Sequence, residues 1–297
     1  LAVFDASSGR PVPFQVDRLE GLEELAIAAG ELPARSAKAF LVYADVPPAA
    51  GGAPAAAFRE TPGGYEVRSG RLVLLKNDPS SGAAFDRIEL AGLELGRFVQ
   101  LVWQDVGQNM WVGPSRIEKV ERSEGPARLV LDVTASRTTG GETRTQVDAA
   151  GRPEVAARRD MRFRTKYRFV FQPGVEGFES RLLWIENTDS SSWRLRAYYH
   201  YLLSNIGGNA ADDEPRASYW FDAGYGACLG IVPGSREISV SFWKDAAGGE
   251  HPDAARNLDL VLAPGARYAA DEPVAYVLAC KGLPWTAAVE ELLRRQA

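Results

Sequence analysis

Apolar and polar side chains alternate at the start of residues 65 to 75, and apolar residues fill the end of this stretch, which reads Tyr65-Glu66-Val67-Arg68-Ser69-Gly70-Arg71-Leu72-Val73-Leu74-Leu75. Successive side chains of a β-strand point to opposite faces, so a period of two predicts a strand with one buried face. Ser69-Gly70 is a turn signal between the two halves of this stretch. The stretch therefore predicts a β-hairpin.

The same alternation recurs along most of the chain. A second hairpin is predicted where Ile88 and Leu90 lead through the turn signal Ala91-Gly92 to Leu93 and Leu95. Further strands are predicted at 98–103, 129–133, 159–171, 179–186, 193–203, 218–221, 238–243, 258–262 and 274–279. Many strands joined by short glycine-containing links, without a strand–helix rhythm, are typical of a sandwich or barrel. We therefore expect an all-β fold, a large antiparallel β-sandwich.

The sequence also predicts a division into domains. Residues 47–64 are dominated by Pro, Ala and Gly and are interpreted as a linker. The linker separates a small N-terminal β-module, residues 1–46, from the sandwich domain, residues 65–297. We expect the module to pack on the larger domain or to continue an upstream set of strands, because it is small for an independent domain.

Two segments show helical patterns. Residues 19–29 permit a helix, although Gly21 interrupts it. At the C-terminus, Pro284 precedes a stretch from Trp285 to Gln296 with an apolar stripe and with acidic residues ahead of basic ones, which is the order that the helix dipole prefers. A C-terminal helix is therefore predicted.

Composition limits the classes of function. The formal net charge of −5 argues against general nucleic-acid binding, which draws most of its affinity from basic residues. No apolar run approaches the roughly 18 residues that span a membrane. The chain opens on Leu1, so we expect a processed, secreted segment that acts outside the cell or in the periplasm. Cys228 and Cys280 permit one disulfide, but their apolar surroundings favour two buried thiols.

The stretch from Arg158 to Phe171 has the most unusual charge pattern. Its basic residues alternate with apolar or aromatic ones, so the pleat places them on one face; they are Arg162, Arg164, Lys166 and Arg168, called here the cationic ladder. Guanidinium groups pair with carboxylates in a bidentate manner, which suits the binding of a uronic-acid polymer. The alternative is a solvated outer face that neighbouring acids neutralise, for instance Glu179 and Glu186.

The strand from Trp193 to Leu203 contains the best candidates for catalysis. A period of two places Arg196, Tyr198 and His200 on one face. β-Elimination from a uronate needs a group that neutralises the carboxylate, a base that removes the C5 proton and an acid that protonates the leaving oxygen. These three residues are assigned to those roles, with Asn205 assisting. The alternative is a partly buried histidine that hydrogen-bonds within the sheet.

The segment from Trp103 to Pro114 is rich in amides and indoles. Indole rings stack on the C–H faces of pyranose rings and amides reach their hydroxyls, so Trp103, Asn109 and Trp111 are candidate substrate-binding residues. Packing in the core is the alternative for the two tryptophans. No metal site or cofactor is predicted, and the acidic run Asp212-Asp213-Glu214 is interpreted as a solvated turn since it lacks the alternating spacing of a calcium loop.

Three passages carry a resemblance to known families. Residues 9–17 with 32–40 resemble small β-modules of glycan-degrading enzymes. Residues 65–75 with 82–92 resemble the opening hairpins of the galactose-mutarotase-like β-supersandwich, and residues 197–203 with Gly207-Gly208 are similar to the histidine-bearing strand of that fold. The organisation is nearest to that of exo-acting rhamnogalacturonan-lyase-like enzymes. Mutarotases also use a second histidine, whereas the other histidine here is His251 in a loop-like stretch, so simple mutarotation does not follow.

Two functions from different classes are compatible with the sequence. In one, the protein is a carbohydrate-active enzyme, a polysaccharide lyase that acts on an acidic glycan. In the other, it is a non-catalytic carbohydrate-binding or structural domain of a larger glycan-processing protein. Both predict a polysaccharide or oligosaccharide as partner, with no nucleic acid and no membrane. They differ in whether His200 is accessible to a substrate.

Overall fold

The computed structural model describes residues 1–30, 36–45, 54–105, 110–137, 144–147, 153–156, 161–204, 209–213, 217–222, 226–244, 250–282, 287 and 290. The secondary-structure elements of this part are all β-strands, which pair in antiparallel sheets, and this confirms the predicted all-β class. No helix of the described part is long and apolar enough to cross a membrane.

The larger sheet has nine strands. In spatial order they are β21 (Ser239–Lys244), β22 (Glu250–Leu262), β17 (Trp193–Ser204), β9 (Leu93–Asp105), β8 (Phe85–Leu90), β7 (Leu72–Lys76), β6 (Gly64–Ser69) and β5 (Ala57–Thr61), with β10 (Met110–Val112) paired to β9. The two predicted hairpins are confirmed here, since β6 pairs with β7 and β8 with β9. The turn between β8 and β9 has positive φ at Ala91 and Gly92, which matches the right-handed twist of the strands.

The second sheet has eight strands. In spatial order they are β11 (Arg116–Glu124), β12 (Leu129–Arg137), β15 (Phe163–Phe171), β16 (Gly177–Asn187), β23 (Arg267–Lys281), β20 (Ala227–Pro233), β19 (Ala217–Asp222) and β18 (Asn209–Asp213). Three two-stranded sheets complete the described part: β1 (Ala2–Asp5) with β4 (Phe40–Tyr43), β2 (Phe14–Leu19) with β3 (Leu22–Ile27), and β13 (Arg144–Val147) with β14 (Pro153–Ala156).

Aromatic side chains from both large sheets meet in one hydrophobic core. Phe85 and Phe98 of the nine-stranded sheet contact Phe169 and Phe178 of the eight-stranded sheet, with ring centroids 5.0 to 6.1 Å apart. All four rings are buried in a single cluster that draws residues from both sheets. The arrangement is β-sandwich-like in character, and it makes each large sheet apolar on its inner face.

The hairpin of β2 and β3 packs on the outer face of the eight-stranded sheet through polar side chains. The amide oxygen of Gln15 accepts hydrogen bonds from the backbone N–H groups of Ala127 and Arg128, at 3.1 and 2.9 Å. The buried carboxylate of Asp17 accepts from Ser123 Oγ at 2.5 Å and from Arg128 Nε at 2.6 Å. The N-terminal segment is therefore fastened to the larger part of the chain.

Two of the predicted local elements differ from the structure, and a third lies almost wholly outside the described residues. The helix considered for residues 19–29 is wrong, because Gly21 adopts a positive φ in a two-residue turn and residues 22–27 form β3. Residues 57–61 of the predicted linker are strand β5 of the nine-stranded sheet, while 46–53 lie outside the described residues. The helix predicted from Trp285 to Gln296 lies outside the described residues except at 287 and 290, and no helix is among the elements of the described part.

Candidate functional site

The strand predicted to carry catalysis, β17, directs His200 into the core. The His200 side chain is 0% exposed, and its ring lies 5.1 Å from that of Phe98 and 5.4 Å from that of Tyr167, centroid to centroid. Burial lowers the pKa of His200 to about 3, so the ring is neutral at physiological pH. A general base must reach the proton that it removes. A substrate cannot reach the imidazole in this position, so the geometry does not favour His200 as a base.

Tyr198 also faces the interior, where it joins the two large sheets. Its hydroxyl donates a hydrogen bond to the carboxylate of Glu272 on β23, and Arg256 of β22 donates to the same carboxylate at 3.3 Å. Burial raises the pKa of Tyr198, with the hydrogen bond to Glu272 acting in the same direction. These contacts give Tyr198 a structural role between the sheets, and its assignment as a proton donor to a substrate does not fit.

Arg196 lies on the opposite face from Tyr198 and His200. A β-bulge between Leu195 and Ala197 shifts the register of β17 against both of its neighbours. The extra residue reverses the alternation, so Leu195 is in the core before the bulge and Tyr198 after it. Arg196 instead pairs with Asp259 on the exposed side, at 3.4 Å. The predicted grouping of these three residues on one face is therefore wrong.

The remaining candidates for substrate binding are only partly described. Trp103 and Trp111 are Cα partners in the pairing of β9 with β10, and their side chains lie outside the described residues. Asn109 and Asn205 lie outside them entirely. Arg162 is exposed and precedes β15.

The cationic ladder lies on the outer face of the eight-stranded sheet, where acids from neighbouring strands neutralise it. Arg164 pairs with Glu118 at 2.8 Å and with Glu186 at 3.6 Å. Because these acids already occupy the guanidinium, Arg164 is not an open binding site for a uronate.

The inner part of the ladder is buried beneath the β2–β3 hairpin. Lys166 Nζ lies 2.9 Å from a carboxylate oxygen of Glu20, at the tip of the hairpin, and 3.3 Å from one of Asp132. Arg168 donates two hydrogen bonds to Asp132, at 2.7 and 2.8 Å. This is the bidentate geometry that the carboxylate of a bound uronate was expected to adopt. The hydrogen bond from Lys166 also holds the pKa of Glu20 below its ordinary value.

A polar cavity of about 130 Å³ lies between the hairpin and the outer face of the eight-stranded sheet. A single water molecule needs about 10–15 Å³ of such volume, so the cavity has room for a ligand of roughly one sugar residue. Its polar lining consists of Glu24, Arg128, Arg168, Gln172, Glu179 and Arg181. Among the predicted substrate-binding residues whose side chains the structure describes, Arg168 lines this cavity.

The charges of the cavity are paired with one another. Arg181 donates to Glu179, two residues earlier in the same strand. Arg128 lies 2.7 Å from Glu24 and 2.6 Å from the buried Asp17. The lining therefore offers guanidinium donors next to carboxylate acceptors, and it has no large excess of positive charge.

An apolar pocket adjoins the polar cavity along the same face. The two share Val170, Gln172 and Glu179 in their walls, and the apolar pocket adds Tyr276 and Leu278 of β23. An aromatic ring thus stands beside a set of hydrogen-bonding groups. The apolar pocket is small, about 20 Å³, and because it shares three wall residues with the polar cavity we call the two together the outer groove.

A second group of perturbed side chains, not identified from the sequence, lies on the outer face of the nine-stranded sheet. The rings of Tyr199 and Tyr201 stack with centroids 5.5 Å apart, next to Asp253, which accepts a hydrogen bond from Ser241 at 2.9 Å. Burial raises the pKa of Asp253 to about 6 and that of Tyr199 to about 12. The alternation of Tyr199 and Tyr201 with His200 places the two tyrosines on one face of the strand, but the sequence does not show that this face is the outer one.

Within the part of the chain that the structure describes, no group of three or more His, Cys, Asp or Glu side chains is placed to hold a metal ion. No family model matches this sequence, and no curated protein matches it either.

Proposed function

We propose that the protein binds a glycan in the outer groove and does not cleave it. The observation that carries this proposal is the adjacency of the polar cavity, lined by paired arginine and glutamate side chains, and the apolar pocket walled by Tyr276. A pyranose ring has an apolar C–H face and a rim of hydroxyls, so it needs both kinds of wall side by side.

Hydroxyl groups match the cavity better than a lone carboxylate does. A hydroxyl both donates and accepts, so it can accept from Arg181 or Arg128 and donate to Glu179 or Glu24. The carboxylate of a uronate would lie close to the glutamate carboxylates that already pair with the guanidinium groups, and the like charges would repel each other. The preference for acidic glycans suggested by the cationic ladder is therefore replaced here by recognition of sugar hydroxyls.

Binding is favoured over polysaccharide lyase activity because of the position of the three proposed catalytic residues. His200 and Tyr198 are buried, and Arg196 lies on the other face of the sheet. β-Elimination needs its base, acid and carboxylate-neutralising group around one substrate. The structure offers no such arrangement among these three residues.

We also propose a superfamily for the fold and a cellular location for the protein. The contacts between phenylalanine rings of the two large sheets support a face-to-face supersandwich, as the resemblance to the galactose-mutarotase-like superfamily implies. A glycan ligand would place the protein outside the cell or in the periplasm.

Affinity electrophoresis through gels that contain single polysaccharides, neutral in one set and uronate-rich in the other, tests the proposal. We expect retardation in at least one neutral gel, with no rise of ultraviolet absorbance from unsaturated uronate in matched solutions. Retardation confined to uronate-rich gels would overturn the hydroxyl-recognition part of the proposal. An absorbance increase would overturn the non-catalytic part, and mobility unchanged in every gel would overturn glycan binding.

A further inference from the structure

Cys228 and Cys280 face each other across two neighbouring antiparallel strands. They are direct Cα partners in the pairing of β20 with β23, and both are present as thiols with no disulfide between them. The backbone N–H of Ala279 donates to the carbonyl oxygen of Glu176, at 2.8 Å, on the side of β23 away from β20. Successive N–H groups of a strand point to opposite sides, so the N–H of Cys280 points towards β20.

This geometry is compatible with a disulfide bond. Hydrogen-bonded partners in an antiparallel pair have Cα atoms about 5.5 Å apart. Disulfide-linked cysteines have Cα separations of about 4.4–6.8 Å. The two side chains emerge on the same face of the sheet, because direct partners do so by the pleat, and they pack in one small apolar cluster with Val232 and Leu278.

The two thiols differ in exposure and in acidity. Cys228 is partly exposed, whereas Cys280 is buried. The Cys280 thiol donates a hydrogen bond to the Cys228 sulfur, which lowers the pKa of Cys228. That hydrogen bond, together with burial, raises the pKa of Cys280. The accessible thiol is therefore the better nucleophile, and the protected one stands directly beside it.

We propose that Cys228 and Cys280 are a reversible dithiol–disulfide pair that low-molecular-weight disulfides, such as glutathione disulfide, oxidise. The Cys228 thiolate attacks one sulfur of the small disulfide, forming a mixed disulfide and releasing one small thiol. Cys280, having lost its proton to solvent or to the departing thiolate, then attacks Cys228 Sγ and releases the second small thiol. Two cysteine thiols are oxidised and one small disulfide is reduced to two thiols, so atoms and electrons balance.

Intact-mass spectrometry of the folded full chain, after incubation with glutathione disulfide, tests this pair with two matched variants. We expect the wild-type chain to lose the mass of two hydrogen atoms and to carry no glutathione. The C280S variant should accumulate a stable glutathione adduct on Cys228, since the thiol that resolves it is gone. The C228S variant should react at least tenfold more slowly than C280S, because Cys280 is buried.

Two outcomes of the oxidation step would overturn the proposal. One is a wild-type chain that retains a glutathione adduct as persistently as C280S does, which would show that Cys280 does not resolve it. The other is a folded wild-type chain that shows no change in mass while both thiols react in denaturant. Reduction with dithiothreitol should restore the original mass, and failure to do so would exclude a reversible disulfide. The proposal is independent of the glycan-binding function.

Discussion

The imidazole of His200 lies edge-on to the phenol ring of Tyr167, with ring centroids 5.4 Å apart and an interplanar angle of 61°. The two residues belong to different large sheets, so this contact lies between the sheets. Neither ring nitrogen of His200 has a hydrogen-bond partner among the described residues. A protonated imidazole in this position would be a buried and uncompensated charge, which is strongly unfavourable.

The buried histidine makes stability depend on pH. Burial lowers the pKa of His200 from 6.5 to about 3, so the unfolded chain binds the proton more readily than the folded one. The stability contributed by the neutral ring is complete above the unfolded pKa and is lost as the pH falls towards the folded pKa. We expect a loss of about 1.4 kcal/mol per pH unit from this group in that window.

Replacement of His200 by Phe removes that contribution. Chemical denaturation of wild type and H200F across the acidic range should show a shallower fall in the free energy of unfolding for the variant. The other titrating groups are common to both chains, so the difference between the two curves isolates His200. Parallel curves would show that the imidazole is accessible in the folded state.

The titration of Asp253 should change the stability of the fold with pH in the opposite direction to that of His200. Burial raises its pKa to about 6, so its neutral form stabilises the fold fully below 3.8 and that contribution is lost as the pH rises through 6. The D253N variant keeps a neutral side chain that can still accept from Ser241. We expect D253N to exceed wild type in unfolding free energy by on the order of 2 kcal/mol near neutral pH, with the difference vanishing in acid. Equal stability at both ends of the range would contradict this.

The buried carboxylate of Asp132 serves two cations at once. Replacing it with Asn removes the buried carboxylate that pairs with Arg168, and it takes from Lys166 one of its carboxylate partners, although Glu20 remains beside Lys166. The D132N variant should lose about 3–5 kcal/mol of unfolding free energy. The control is E94Q, which weakens an exposed pair with Arg87 and should cost less than about 1 kcal/mol. Similar costs for the two variants would mean that the ladder is solvated rather than buried.

The N-terminal hairpin should be released when its central anchor is removed. Asp17 accepts hydrogen bonds from Gln15, Ser123 and Arg128. The D17A variant leaves these donors without their acceptor, so limited proteolysis should cut within residues 14–27 at least tenfold faster. The exposed Glu23 provides the control on the same hairpin, and E23Q should be cut at the wild-type rate. Unchanged cleavage of D17A would show that the hairpin is held in another way.

Much of the fold could be predicted from local alternation. The hairpin at 88–95 follows a period of two, the hairpin at 65–75 does so in its first strand, and both form as predicted. The same rule failed in β17, because one bulge between Leu195 and Ala197 exchanges the two faces of the strand. A bulge leaves no reliable mark in the residues themselves, so the exposed face of β17 could not be chosen from the sequence.

The candidate site shows a second limit of prediction from the sequence. The cationic ladder was visible as an alternating run, but its neutralising partners are scattered along the chain at Glu20, Glu118 and Asp132. Sheet pairing and the docked hairpin bring them together, and neither can be read from spacing. The hairpin itself places Gln15 and Asp17 inward, the reverse of the usual apolar-inward pattern, so its contribution to a polar cavity had no local signal.

Isothermal titration of one retained oligosaccharide tests the central claim, glycan binding in the outer groove, most directly. Three chains are compared: wild type, R181A in the outer groove, and the control R68A. Arg68, like Arg181, pairs with a glutamate two residues earlier in its own strand, but Arg68 lies on the other large sheet. We expect R181A to weaken binding at least tenfold and R68A to match wild type. Equal affinity of all three chains, or an equal loss in both variants, would contradict a binding site in the outer groove.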